Sequence, residues 1–465
     1  MHDQGTQPNK PRVLIIAEAC NPDWVSVPLV GWSHYDALRA VADVHLVTHP
    51  RNQSAIEARG LVEGEDFTII DNEHIARKTH RLATLLRGGK GKGWTTVTAL
   101  GWPAYWEFER LVWKRFGDEL KQGRYDVVHR LTPLTPTMPS RLATRCKQVG
   151  VPFMLGPLNG GVPWPKGFDD RRRAENEWLS YIRNIFTLLP GYRSTRRDAS
   201  AIIVASKDTL EQMPASCRDR CVYIPENGID PERFGLQRQR NAERPLRCVF
   251  LGRLVPYKGA DMLLKASAEA LKSGAMTIKI VGEGPQRPEL EKLIDELGVA
   301  DRVELCGWVD HTEVQQVLAD SDFMAVPSIR EFGGGVVLEA MALGLPAVVV
   351  DYGGPAELVT DTTGVRVPIG RPDAIIAGFK QAIDRFTADP AEIDRLGRVA
   401  KARVDALFTW SAKASQTRAV YDWLLGRSQK PDFGMPFPDT IDEDNAGESV
   451  DPAPSIRPVK EAVEQ

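Results

Sequence analysis

The chain of 465 residues carries 59 lysines and arginines against 62 aspartates and glutamates, a formal net charge of -3. That balance gives no sign of the strongly basic domain typical of nucleic-acid binders, and the length exceeds the ~250–300 residues at which single cores stop growing, so two large domains are expected. No run approaches the ~18 apolar residues of a transmembrane helix.

The first ten residues are polar and expected to be loose, and Val13–Ala19 behind them is too short and poorly flanked for a signal peptide. Cys20, Cys146, Cys217, Cys221, Cys248 and Cys306 form no CxxC pair and have no histidine ligands nearby, so neither a zinc site nor a disulfide framework is expected. A reducing, cytoplasmic location fits.

In chain order, VLIIAEA (Val13–Ala19), VHLVT (Val44–Thr48), FTII (Phe67–Ile70), YDVVH (Tyr125–His129), VPFML (Val151–Leu155) and AIIVAS (Ala201–Ser206) read as short buried strands separated by helix-compatible segments. The rhythm pauses in a polar, arginine-rich stretch, Glu232–Arg247, and restarts with RCVFLG (Arg247–Gly252), TIKIVG (Thr277–Gly282), VELCG (Val303–Gly307), FMAVPS (Phe323–Ser328), AVVVD (Ala347–Asp351) and GVRVP (Gly364–Pro368). This predicts an α/β protein of two Rossmann-like parallel-sheet domains, 1–225 and 246–408, joined by a linker at 226–245 and facing an interdomain cleft. An amphipathic helix follows at 409–427, and 428–465, rich in Pro, Asp and Glu, reads as a disordered tail. Asp442-Glu443-Asp444 reads as solvated charge and Asp320-Ser321-Asp322 as a turn before a strand.

Two stretches carry chemistry. After the first strand of the second domain come Gly252-Arg253-Leu254 and Lys258-Gly259, a planar cationic fork and a movable point charge suited to a diphosphate. Further on, VPSIREFGGGVVLEAMALGLPAVVVDYGGPAELV (Val326–Val359) separates Glu331 and Glu339 by seven intervening residues that include Gly333, Gly334 and Gly335, followed by an apolar helical run. Glycines allow a loop to approach a ligand closely, and the helix start would turn free N–H groups toward an anion. Either stretch alone reads equally as a turn with ordinary surface charge; together they describe a site.

The string from Pro327-Ser328 through Glu331, Glu339-Ala340-Met341-Ala342, Gly344 and Pro346 to Gly353-Gly354 closely resembles the retaining glycosyltransferases of family 4, which have the GT-B fold. The resemblance covers most of the second domain and the first only loosely. It implies that Arg253 and Lys258 hold a nucleotide diphosphate with Gly252 and the Gly333–Gly335 loop, that Glu339 accepts from the ribose hydroxyls, and that Glu331 binds the donor sugar. The order Glu331-Phe332-Gly333-Gly334 departs from the family's usual Glu-Gly-Phe-Gly. By the same resemblance His129 points at the donor sugar, Gly31 belongs to a loop facing the diphosphate although the family's second glycine is Trp32 here, Gly282-Glu283-Gly284-Pro285 is a turn, and Gly307-Trp308-Val309 meets the base. Trp308 reads equally as a core aromatic.

These residues imply transfer of a sugar from a nucleotide-diphosphate donor to a saccharide or lipid-linked acceptor, with neither metal nor organic cofactor and no nucleic-acid partner. A nucleotide-sugar epimerase and a non-catalytic nucleotide-sugar-binding scaffold are the alternatives. Glycogen-type phosphorolysis lacks an identifiable pyridoxal-binding lysine. In the first domain, Trp94–Phe116 is aromatic and follows Lys78, Arg81, Arg87, Lys90 and Lys92; Arg171–Arg173, Arg183, Arg193, Arg196 and Arg197 surround a second apolar stretch. Such interleaving suits a membrane surface or lipid-linked acceptor, and equally a helix pair on the domain core. Gly160-Gly161 would line the acceptor side.

Overall fold

A computed structural model describes residues 10–73, 102–160, 162–174, 185–236, 238, 244–310 and 313–438. The segments bearing Lys78–Lys92, Gly161, Arg183 and Asp442–Asp444 lie outside them. Strands β1 (Arg12–Ala17), β2 (Asp43–Thr48), β3 (Phe67–Ile69), β4 (Val127–Thr132), β5 (Phe153–Leu158), β6 (Ala201–Val204) and β7 (Cys221–Tyr223) form one parallel sheet in the order β3-β2-β1-β4-β5-β6-β7. A second parallel sheet, ordered β10-β9-β8-β11-β12-β13, joins β8 (Leu246–Leu251), β9 (Met276–Val281), β10 (Val303–Gly307), β11 (Phe323–Val326), β12 (Ala347–Asp351) and β13 (Gly364–Pro368).

The apolar runs become strands because helices cover both faces, so β4, β5 and β11 are buried along their whole length. Two departures from the sequence expectation matter. The strand expected to stop at His129 continues to Thr132, since Arg130 is itself buried and donates to the carbonyls of Met138 and Pro133. The three-residue β7 carries too little apolar sequence to be recognised.

The chain crosses between domains twice, side by side. Ile229 N donates to Phe408 O at 2.7 Å and Trp410 N returns to Ile229 O at 3.1 Å. Gly228 lies under the Trp410 ring, where a Cβ would overlap it. The Trp410–Leu424 helix then packs on the Val27–Val41 helix of the first domain, where Arg418 donates to Val41 O at 2.7 Å. Asp322, expected in a simple turn, is fully buried, paired with Arg244 at 2.6 Å, and accepts from Arg247 N. Among the described residues no helix is long and apolar enough to cross a membrane.

Residues 428–438, expected to open a disordered tail, instead pack on the body. Phe437 is 2% exposed against Tyr223, Phe408 and Phe433, Arg403 donates to the Phe437 and Pro438 carbonyls, and Lys430 donates to Asp219 O at 2.8 Å. Phe433, Met435 and Phe437 supply an apolar anchor that the surrounding Pro and Asp obscure in the sequence. Phe437→Ala should therefore cost about 3 kcal/mol, read as a lowered urea midpoint; an unchanged midpoint would contradict this anchoring.

Candidate active site

In the second sheet the strand order reverses between β8 and β11, and in open parallel sheets such a switch point opens a crevice at the strand ends. The loops leaving these two strands are tied together. Ile329 N donates to Tyr257 O at 3.0 Å, and Gly259, at φ +76°, rests on Pro327 O with no space for a Cβ. This brings Lys258 and Glu331, far apart in sequence, into a direct ion pair whose side chains are 16% and 19% exposed. Burial works against the Lys258 charge, but the Glu331 carboxylate outweighs it and leaves the ammonium pKa raised.

Gly252 and the exposed Arg253 stand on the same β8 loop. That loop is braced by Gly282, where a Cβ would overlap Gly252 O, and by Leu254 N donating to Glu283 O at 3.0 Å. The Gly282–Pro285 turn thus buttresses the basic loop. Across the crevice, Gly334 takes a left-handed conformation (φ +63°) at the N-cap of the Gly335–Ala342 helix. Glu339 sits in that helix, its carboxyl pushed up by burial and held down by Arg233. Trp308, at the end of β10, is 71% exposed and so is no core aromatic.

Two expected residues lie elsewhere. His129 is fully buried in mid-strand, sharing hydrogen bonds with Tyr421 Oη at 2.7 Å and Gly156 O at 2.6 Å. Gly31 lies inside the Val27–Val41 helix, not in a loop; its missing Cβ lets that helix press on Ala19 O. The basic zone also breaks up: Arg196 is 2% exposed and donates to Pro136 O, and Arg171 reaches across to Asp261 at 2.7 Å. The Trp102–Lys121 helix turns Tyr105, Phe108, Val112 and Phe116 into the core.

Other contributors escaped the sequence reading. Val162–Arg171, after β5, lies along the second domain: Arg330 donates to Val162 O at 3.2 Å with its guanidinium over Trp164, and Tyr352 Oη donates to Pro163 O at 2.9 Å. Glu357, pushed up to about 7 by burial, accepts from Lys207 N of the first domain at 2.9 Å. Glu226 is buried between Asn159 and Gly333. The clue was a carboxylate directly following the apolar VYIP in Val222–Gly228, in a stretch that Pro and Gly marked only as a linker. Among the described residues no three His, Cys, Asp or Glu side chains cluster as metal ligands.

The buried histidines give a pH signature. Burial lowers His129 to about 3 from an ordinary 6.5. Its neutral form is thus favoured on folding, a contribution present above pH ~6.5 and lost as pH falls toward ~3. Buried carboxyls with raised values, such as Glu357, act in the opposite sense, so the comparison must be between variants. The stability lost in His129→Gln should be about 2 kcal/mol larger at pH ~7 than at pH ~5 in urea titrations. A pH-independent difference would contradict a neutral, buried imidazole.

Residues 234–402 match the family model described as Glycosyl transferases group 1. Alpha-D-kanosaminyltransferase of Streptomyces kanamyceticus is 32% identical over 248 residues, 49% of this chain and 62% of that protein. Glycogen synthase of Mycobacterium tuberculosis is 30% identical over 247 residues, 50% of this chain and 59% of its own; the matches thus span about 60% of these relatives' length. Among solved structures, sucrose-phosphate synthase from Thermosynechococcus elongatus aligns with TM-score 0.59 at 19% identity over 90% of this chain and all of that one. Anabaena HepE in complex with UDP and glucose aligns with TM-score 0.54 at 18% identity over 88% and 98%. The chain has the GT-B fold, and within its second domain residues 234–402 are similar to the glycosyl transferases group 1 family.

Proposed function

We propose that this protein is a retaining glycosyltransferase that moves a sugar from a nucleotide-diphosphate donor to an acceptor hydroxyl, without metal or organic cofactor, in cell-surface polysaccharide or glycolipid synthesis. The observation that carries this reading is the pairing of Lys258 with Glu331 at the β8–β11 crevice, beside the glycine-led start of the Gly335–Ala342 helix. Relatives named for sugar transfer, and a fold neighbour solved with UDP and glucose, support a nucleotide-sugar donor.

In this mechanism the bond between the sugar and the diphosphate breaks while the acceptor oxygen attacks from the same face. Negative charge builds on the departing diphosphate, and Arg253, Lys258 and the helix start stabilise it more than they stabilise the bound donor. A donor phosphate oxygen takes the acceptor proton. Glu331 holds donor hydroxyls, Glu339 accepts from the two ribose hydroxyls, and the base lies near Trp308. A saccharide or lipid-linked acceptor enters from the first domain, with peripheral membrane contact where that acceptor is a lipid. The close seating of Val162–Arg171 on the second domain favours exclusion of water from the reacting sugar.

Lys258→Ala and Glu331→Gln should each lower kcat by roughly 10²–10³-fold with the fold intact, while a chelator leaves the wild-type rate unchanged. Release of nucleoside diphosphate in the presence of candidate acceptors measures both. Near-wild-type rates in the two variants would contradict the site.

A further inference from the structure

Glu226 has no part in the roles assigned above, yet it touches both domains at the site. It is 6% exposed where the chain leaves the first domain. Its Oε1 accepts from Asn159 Nδ2, just beyond β5. The same oxygen fills the space where Gly333 would carry a Cβ, and the amide of Asn227 crowds that space from the other side. The backbone here is pinned: the Glu226 carbonyl bonds to His34 Nε2 at 2.9 Å, and Ile229 pairs with the Phe408–Trp410 segment. One carboxyl oxygen is therefore wedged between a first-domain side chain and the first glycine of the donor loop.

The charged and titratable groups around it come from every packed element. Lys413, on the Trp410–Leu424 helix, attracts the carboxylate when charged, but burial lowers its own pKa well below the ordinary lysine value against the pull of Glu226; its Nζ has no hydrogen-bond partner and lies 4.6 and 4.9 Å from the Phe408 and Phe437 rings. Glu331 repels it from the donor loop, and Glu357 repels it from the Gly354–Leu358 helix. His34 faces the backbone carbonyl. Burial is the largest influence and raises the carboxyl, against the Asn159 hydrogen bond and Lys413.

Resting on the donor-site reading, we propose that Glu226 is a positioning residue whose carboxyl holds the Gly333–Gly335 loop in register with Asn159 of the first domain, and that a donor diphosphate joins it at this loop when the carboxyl is uncharged. An ionised Glu226 and a diphosphate would set two anions against one helix start, at short range and away from bulk water. The uncharged carboxyl keeps an oxygen to accept from Asn159 and adds no repulsion. Above the Glu226 pKa donor binding must take up a proton, so affinity falls with rising pH, approaching tenfold per pH unit.

The test uses the full chain, with UDP-, GDP- and ADP-glucose titrated calorimetrically from about pH 5 to about pH 8, and hydrogen exchange of peptides covering 331–336 without nucleotide. In wild type, affinity for the sugar nucleotide that binds should fall as pH rises across this range, and a flat profile overturns the coupling to Glu226. Glu226→Gln, which keeps the acceptor oxygen, should bind with that slope removed, and Glu226→Ala should bind weakly throughout and exchange faster at 331–336. A wild-type slope in Glu226→Gln, or unchanged exchange in folded Glu226→Ala, overturns the proposal. If wild type binds none of the three while Glu226→Ala still exchanges faster, the donor reading falls and the loop-holding role stands.

Discussion

The ion pair of Lys258 with Glu331 is the contact on which the rest of the site depends. Taking two charges out of water costs several kcal/mol per ion, and a buried pair seldom improves on apolar packing as a source of stability. Here the two sit only partly exposed at the one place in the second sheet where strand order reverses. The backbone around them is arranged to keep them there: Gly259 pressed on Pro327 O, Ile329 bonded to Tyr257, and Gly354 N donating to Glu331 O at 3.1 Å. A cation so held is preorganised for an anionic leaving group, because its orientation costs nothing further during reaction.

The first domain reaches this pair along two routes. Val162–Arg171 seats Trp164 and Arg171 beside the residues flanking Lys258 and Glu331, through Arg330 and Asp261. The crossover at Glu226–Ile229 runs beneath the Gly333–Gly335 loop and is stitched to Phe408–Trp410. Movement of one domain against the other would thus be felt first at the Gly333–Gly335 loop. Arg403 and Lys413, whose ammonium form burial strongly disfavours, lie buried behind the crossover, sealed by Phe437 and the segment carrying it.

Much of this was legible in the sequence because parallel strands buried on both faces appear as uninterrupted apolar runs, and because Lys258 and Glu331 each follow such a run within a few residues. What escaped did so for identifiable reasons. His129 seemed to end its strand because Arg130 follows, but a buried arginine with carbonyl partners lets the strand run on and turns the imidazole into the core. Gly31 seemed a loop glycine because the family resemblance set it in a loop, although Ser26 and Pro28 mark a helix start at Val27. Glu226 and Asn159 follow β7 and β5 of the first sheet and are 67 residues apart, so their hydrogen bond exists only once those strands are assembled. Phe437 was hidden by the polar composition around it.

The proposed function requires the crevice between β8 and β11 to bind the diphosphate of a nucleotide. The most direct measurement is isothermal titration of wild type and Glu339→Ala with UDP, GDP and ADP in metal-free buffer. One nucleotide should bind wild type, and Glu339→Ala should lose it. Absence of binding by all three, or equal binding in Glu339→Ala, would contradict it.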